Sequence, residues 1–525
     1  MHISNRHFYL LVGITAFILL FRLDYLPLIF EEPRRALVSL EMILTGNFLM
    51  PTINGYEYYN KPPVYNWLLS GFFKLFGYSE WVVRLPTYLS FIAITLINYR
   101  FFKSRMGDQA AALGSLFFLL SAHVLFYFSF IGEIDIFYTL LVYQQILCFF
   151  YFYHKQQYWL LFLVTYLLMS VGFLTKGLPS IAFQGLTIIG FAVHKKSFRF
   201  LFHPANVLFL FLSLGIIALY FSLYSQYSDP WPYLAQLISE SSRRTSSGPI
   251  DWVTNIFRVV LELLKITFPW VLLSMVLIPK SNRLAEKNVW VLYCMIFLAA
   301  NLWLYLISPG TKDRYMYMFL PFVYNLLAYQ LTPLLKPKAR YFSIVAWGFI
   351  GLLCALFAFI SWQYQQSWIA LLIIVLTGML LFFLLRKKKV SPLLALFMLM
   401  ILGRVAYDFV VFPQRKSDTR EGLAKIAAQK VINQVGHQEL YFYTEVQFEK
   451  KNLWGFKTDK PEIGRLPYNL TYYIASERRS IIHATESVSA NKYYLSQQKN
   501  TPDRAEVLYE FRLEDKDWVL FANRN

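Results

Sequence analysis

Phe130-Ile131-Gly132-Glu133-Ile134-Asp135-Ile136-Phe137 interrupts an otherwise apolar stretch, and its two carboxylates decide the fold. Without Gly132 to Asp135, residues 109–153 would be one run roughly twice the length of about 20 residues that a membrane crossing needs. A carboxylate at mid-bilayer costs about 2.5–3.5 kcal/mol on insertion scales. The four residues are therefore expected to form a turn at a membrane surface, with one helix entering it and another leaving.

Apolar runs of spanning length recur on both sides of this turn. They lie at 8–30, 81–102, 109–130, 135–153, 157–174, 178–194, 205–226, 254–279, 288–308, 313–335, 341–361, 367–385 and 390–412. The chain is 57% hydrophobic and 15% charged, against about 25% charged for a soluble domain. Its +19 formal charge does not indicate nucleic-acid binding, because the basic residues sit in short clusters between apolar runs. With a cytoplasmic N-terminus, every alternate loop is basic: Arg100 to Arg105, Lys155, Lys195 to Arg199, Lys280 to Lys287, Lys336 to Arg340 and Arg386 to Lys389. That is the positive-inside pattern. The first apolar run has no obvious cleavage site after it and is expected to be a retained helix. Cys148, Cys294 and Cys354 each lie in apolar runs without metal-ligand spacing.

The expected fold is thus an all-α polytopic membrane protein of about 13 transmembrane helices, with amphipathic surface helices in the first outer loop. A small C-terminal α/β domain is expected on the extracytoplasmic side. The transmembrane domain is placed at 1–413, with the first outer loop at 31–80, and the soluble domain at 414–525. Within the latter, Leu440–Thr444 and Trp518–Ala522 are expected to be strands, and Glu421–Gln434 a helix.

The first outer loop carries the residues best suited to chemistry. Glu31-Glu32-Pro33-Arg34 opens a helix with Leu37, Leu40 and Leu44 at helical spacing. A carboxylate there is favoured in its ionised form by the helix dipole, as a general base for a hydroxyl proton must be. Tyr58-Tyr59-Asn60-Lys61-Pro62-Pro63 holds a lysine in a backbone fixed by two prolines. Such a lysine could hold a lipid phosphate, or it could be an interfacial anchor. Glu133 and Asp135, in the turn at 132–135, offer a second acidic pair. Arg243, Arg244, Lys312 and Arg314 are basic on the outer side, where positive charge is not the topological default, and could surround a phosphate.

In this order the motifs resemble the GT-C type, polyprenyl-phosphate-sugar-dependent glycosyltransferases of the lipid A aminoarabinose transferase and protein O-mannosyltransferase superfamily. The resemblance rests on Glu31 to Arg34, Glu41-Met42, Gly46, Pro51, Gly55, Tyr58, Lys61 to Pro63, Trp67 and Arg84-Leu85-Pro86. It continues through Glu133/Asp135, Thr175-Lys176-Gly177 and Lys312 to Pro321. It implies a donor sugar on undecaprenyl or dolichyl phosphate, and a lipid A, glycolipid, glycan or protein acceptor. It implies a multi-pass plasma membrane, such as a bacterial inner membrane. Glu31 falls where the family has its first acid, usually Asp, and Asp135 on its second; these two, with Glu32, are the candidate catalytic carboxylates. Lys61, Arg243 or Arg244, and Tyr315, together with Lys312 and Arg314, are candidates for the donor phosphate. Arg34, Tyr58 and Glu133 are candidates for placing the acceptor. The family's Arg-Tyr-x-x-Pro pattern is broken by Met318. A phosphate is already a good leaving group, so the scheme requires neither cofactor nor divalent metal. The rival reading is a multi-span transporter or lipid flippase. It would need ionisable residues along a mid-bilayer path, whereas here they gather at helix ends.

Overall fold

The structure is a computed structural model. It describes residues 3–242, 249–277, 288–306, 308, 311–335, 391–417, 419–444, 446–453, 456–463 and 467–523, with scattered positions of 343–378. In chain order the helices are α1 (Asn5–Leu20), α2 (Glu32–Thr45), α3 (Val64–Phe76), α4 (Glu80–Met106), α5 (Asp108–Leu119), α6 (Ala122–Phe126), α7 (Ile134–His154), α8 (Tyr158–Lys176) and α9 (Pro179–His194). They continue as α10 (Pro204–Tyr224), α11 (Pro230–Ser242), α12 (Pro249–Thr267), α13 (Trp270–Leu277), α14 (Val289–Leu306), α15 (Leu320–Leu331), α16 (Pro392–Ser417), α17 (Arg420–Val435) and α18 (Tyr468–Arg478). The chain divides into two compact units.

The first unit holds Met1–Leu23, Thr87–Gly215 and Ser242–Pro413. Among the described residues of the whole chain, seven helical segments are long and apolar enough to cross a membrane: α4, α5 with α6, α7, α8, α10, α14 and Pro392–Pro413 of α16. Helices α1 and α9 are shorter and apolar. The expected runs at 341–361 and 367–385 lie largely outside the described residues. The expectation of a single span over 254–279 is corrected. Helix α12 carries Arg258, Glu262 and Lys265 at helical spacing and is amphipathic. It ends before Pro269, whose missing N–H and ring bar a regular helix from continuing, and α13 follows separately. The run at 313–335 is likewise divided, with a 3₁₀ stretch over Asp313–Phe319 ahead of α15.

Between apolar helices there is little hydrophobic drive to associate in lipid, so small residues and polar links matter more. The amide of Asn98 donates to Ser115 Oγ at 2.8 Å and to Asn325 Oδ1 at 3.0 Å, and Asn325 donates back at 2.7 Å. Gly114 permits this approach of α5 to α15, since a Cβ there would lie 2.4 Å from Asn325 Oδ1. Gln145 on α7 donates to Gln184 on α9 at 2.7 Å, and Gln184 donates to Thr165 on α8 at 2.8 Å.

The second unit holds Asp24–Pro86, Ile216–Ser241 and Gln414–Asn525. The first loop therefore packs with the C-terminal segment, which differs from the division at 413 drawn from sequence. The link is polar. Leu28 N–H donates to the Tyr473 hydroxyl at 2.8 Å, that hydroxyl donates to Glu80 at 3.2 Å, and Lys425 pairs with Glu80. The C-terminal segment carries β3 (Leu440–Tyr443), β4 (Val446–Leu453), β5 (Phe456–Ile463), β6 (Ala484–Thr485), β7 (Lys492–Gln497), β8 (Glu506–Leu513) and β9 (Lys516–Asn523); β1 and β2 belong to the first loop. Five of these form a sheet in the order β6-β3-β7-β9-β8, parallel about β3 and antiparallel about β9. Both expected strands and the expected helix fall on β3, β9 and α17.

A buried carboxylate, Glu41, holds the hairpin of the first loop. Helix α2 starts with Pro33 in its first turn and ends at Gly46, whose φ of 71° suits glycine. The strands β1 (Thr52–Ile53) and β2 (Tyr56–Glu57) form a hairpin over it. Glu41 on α2 accepts from Thr52 Oγ at 2.7 Å and from the N–H groups of Asn54 and Gly55. Gly55 has φ 78°, and a Cβ on it would come within 2.4 Å of the His483 ring. Burial raises the Glu41 carboxyl to about 7, the three donated bonds opposing it. A raised folded pKa means the contribution is fullest below the ordinary value of 4.5. It is lost as pH rises through about 7. Hydrogen exchange at the Asn54 and Gly55 amides should therefore gain protection as pH falls from 8 to 5, once corrected for intrinsic rates. Glu41→Gln should flatten that dependence.

Candidate active site

In the second unit, Glu31 and Glu32 are neighbours in sequence with opposite environments. Glu31 is the N-cap of α2. Its side chain makes no capping bond but pairs with Arg34, and it remains 26% exposed. Glu32 is fully buried. Arg84 Nε donates to its Oε1 at 2.8 Å, and Arg84 Nη2 and Ile29 N–H donate to its Oε2 at 3.0 and 2.7 Å. Arg84 also donates to the carbonyls of Leu26 and Pro27 at 2.9 and 2.8 Å. With no exposed surface and both oxygens engaged, Glu32 anchors the turn that presents Glu31. Tyr58 accepts from the buried Arg35 at 2.5 Å.

Lys61 follows in the same unit. Its Nζ pairs with Glu240 of α11, and its carbonyl accepts from the Tyr233 hydroxyl at 2.6 Å. Tyr59, Tyr233, Tyr224, Phe221 and Tyr220 gather beside it, with the Tyr59 and Tyr233 rings 5.7 Å apart and those of Tyr224 and Tyr233 5.4 Å apart. Its ammonium is held by Glu240 and its backbone is set by Pro62 and Pro63. Arg243 and Arg244, in the loop after α11, lie outside the described residues.

The first unit brings together the other acidic and basic candidates. Asp135 in the first turn of α7 has a side chain only 3% exposed, paired with Lys176 at the end of α8. Arg314 reaches Glu133 at 3.1 Å and Asp135 at 3.9 Å. Lys176 stands 4.9 and 4.8 Å from the ring centroids of Tyr138 and Tyr315. Arg314 thus faces two carboxylates, and Tyr315 faces an ammonium. Lys312 is exposed. Beside them Asp313 lies 3.5 Å from His123 and 3.8 Å from Lys265, and His123 bonds the Tyr317 hydroxyl at 2.6 Å. Among the described residues no three His, Cys, Asp or Glu side chains are grouped to hold a metal ion.

Sequence reasoning did not assign roles to Arg84, Glu41 or Glu240, and it offered Lys176 only as one of several outer basic residues that could surround a phosphate. Arg84 and Glu41 sat inside quoted motifs. Only their distant partners mark them out, and no periodicity reports a partner 52 or 179 residues away.

The chain is similar in sequence and fold to known proteins. The model of the dolichyl-phosphate-mannose-protein mannosyltransferase family matches residues 60–224. An undecaprenyl phosphate-α-4-amino-4-deoxy-L-arabinose arabinosyl transferase of Erwinia tasmaniensis is 24% identical over 85% of this chain and 84% of its own. An uncharacterised Aquifex aeolicus protein is 36% identical, but over 18% of this chain and 22% of its own. The crystal structure of ArnT from Cupriavidus metallidurans bound to undecaprenyl phosphate has the same fold. Its TM-score is 0.71 at 16% identity, over 98% of this chain and 97% of that one. The chain is a membrane glycosyltransferase of the GT-C type. Within that class it is similar to the lipid A aminoarabinose transferases and protein O-mannosyltransferases.

Proposed function

We propose that the enzyme moves a sugar from a polyprenyl-phosphate donor, on undecaprenyl or dolichyl phosphate, to an acceptor hydroxyl at the extracytoplasmic face. The acceptor is a lipid A, another glycolipid, a glycan or a protein. The reaction is a single inverting displacement at the anomeric carbon. Glu31 takes the acceptor proton, and Lys61 neutralises the departing phosphate. Asp135, held by Lys176 and Arg314, positions substrate. What carries the reading is the contrast between the two adjacent glutamates. Glu32 is consumed by Arg84, which leaves Glu31, 26% exposed and paired with the half-buried Arg34, as the acid of this motif that can exchange a proton. A phosphate on Lys61 would displace Glu240, its partner in the resting site. The charge developing at the leaving oxygens then meets a preplaced cation. The relatives described above, whose names specify undecaprenyl phosphate, support this choice of carrier.

The two glutamates should separate in a transfer assay paired with thermal unfolding in detergent. Glu31→Gln should keep the fold and lose about 10²–10⁴ in rate. Glu32→Gln should instead destabilise, by up to about 3–5 kcal/mol, because it leaves Arg84 buried without its counter-charge. Wild-type turnover by Glu31→Gln would remove Glu31 as the base.

Titration with undecaprenyl phosphate tests the phosphate seat. Lys61→Ala should weaken affinity roughly tenfold or more, the worth of about 1.5–3 kcal/mol for a bond to a charged group. Glu240→Gln should tighten it, by removing the competing carboxylate. Unchanged affinity in both variants would take Lys61 out of the site.

For orientation, we propose a cytoplasmic N-terminus and an extracytoplasmic C-terminal segment, on the strength of the alternating basic loops. A reporter active only in the cytoplasm, fused after Asn525, should be silent, and activity there would reverse the assignment.

A further inference from the structure

Lys61, Lys176, Arg84 and Arg314 are each matched by a carboxylate. A second group of cations is not. Asp135 lies in the first turn of α7, and its partner Lys176 ends α8. The turn after α7 and the loop after α9 therefore lie at the opposite end of these helices from that pair. No Asp or Glu occurs between Asp135 and Asp229, and Asp229 follows the far end of α10. Lys155, Lys195, Lys196 and Arg199 stand at this acid-free end. All four are exposed, and none of them makes an ion pair with a described residue.

Two of the four have a local reason to be there. Lys155 and Lys195 are the C-caps of α7 and α9, where a cation complements the helix dipole. Lys195 Nζ also donates to the Tyr158 hydroxyl at 2.8 Å. Lys196 and Arg199 have no such reason. Lys196 has φ 52°, at the left-handed position just past a helix end that glycine usually takes. Its N–H and that of Ser197 donate to the carbonyls of Val193 and Ala192 at 3.0 and 3.1 Å, closing the motif. A lysine there carries a backbone cost that glycine would not, and it makes no side-chain contact in return.

Arg199 sits in a 3₁₀ turn over Phe198–Phe200. Phe200 is buried, with its ring 5.3 Å from that of Phe162 and 5.5 Å from that of Tyr158, so the turn is pinned to α8. Its neighbours point away. Phe198 is 59% exposed and Phe202 77%, with Trp159 of α8 at 55%. Outward aromatic side chains suit the depth of lipid headgroups, and flexible cations beside them reach the phosphate level.

We propose that the loop after α9 is a seat for an anionic glycerophospholipid, with Lys196 and Arg199 taking the headgroup phosphate and Phe198 and Phe202 set among the acyl chains. In the orientation proposed above this is the cytoplasmic leaflet, where anionic lipids produce the negative surface potential. The seat does not depend on the transfer scheme, and it is distinct from the site at Lys61.

The full-length protein is placed in nanodiscs holding equal amounts of phosphatidylglycerol and phosphatidylcholine with the same acyl chains. The lipids it retains are counted by native mass spectrometry. Nanodiscs expose both leaflets, so the outcome does not depend on orientation. Wild type should retain phosphatidylglycerol preferentially, and equal retention of the two lipids overturns the proposal. Lys196→Gly, which suits the φ of 52°, combined with Arg199→Gln should reduce the preference roughly tenfold or more, at about fivefold per charge. Arg199→Lys should keep it. A double variant with wild-type preference overturns the proposal. So does one that also loses affinity for undecaprenyl phosphate, since the seat would then serve the carrier. Inorganic phosphate should leave the preference intact, and its displacement of the lipid would make this a free-phosphate site instead. Should the double variant fail to fold, wild type alone decides: raising salt from about 0.1 to 1 M shortens the reach of charges from about 10 to 3 Å and should erase the preference, whereas a preference indifferent to salt overturns the proposal.

Discussion

The buried pair of Glu32 and Arg84 is the constraint on which the first loop depends. Both side chains are withdrawn from water. The desolvation cost of two such charges is met only when geometry is good and the remaining donors and acceptors are satisfied. Here the guanidinium divides its donors between the carboxylate and the carbonyls of Leu26 and Pro27, and the carboxylate takes a third bond from Ile29 N–H. The turn from Leu26 to Glu32 is thereby fastened to the start of α4. Glu31 projects from that turn without being drawn into it. One acidic residue fixes the backbone, and the next is left with a side chain that water can reach.

The same economy of charge recurs elsewhere. Lys61 is matched by Glu240, Asp135 by Lys176, and Glu133 by Arg314. Each unit thus keeps these charges in local pairs. A phosphate brought to such a site exchanges one anion for another instead of meeting an unbalanced cation. In the proposed transfer this would favour release of the spent carrier as much as capture of the loaded one.

Much of the fold was legible because the membrane imposes length and polarity on each helix. The turn at Gly132 to Asp135 was readable for that reason: two acids cannot stay in hydrocarbon. The run at 254–279 misled, because its aliphatic residues satisfy a composition count while Arg258, Glu262 and Lys265 recur at helical spacing and make one face polar. The site was legible in residue type and not in role. Glu31 and Glu32 are indistinguishable by local pattern, and what separates them is Arg84. The union of the first loop with the C-terminal segment was also out of reach, since it rests on contacts between residues some four hundred apart, such as Leu28 to Tyr473 and Phe73 to Tyr472.

That contact has a consequence for how the protein is made. Leu28 and Tyr473 are 445 residues apart. At ~5–20 residues per second of synthesis, the first loop waits about 20–90 s for its partner. During that interval its apolar and charged surfaces have no native cover from the tail. The order of events is set by topology: the membrane helices are inserted first, and the loop that carries Glu31 and Lys61 is completed last. The loop that carries Glu31 and Lys61 therefore gains these native contacts only in chains whose C-terminal segment has been made and docked.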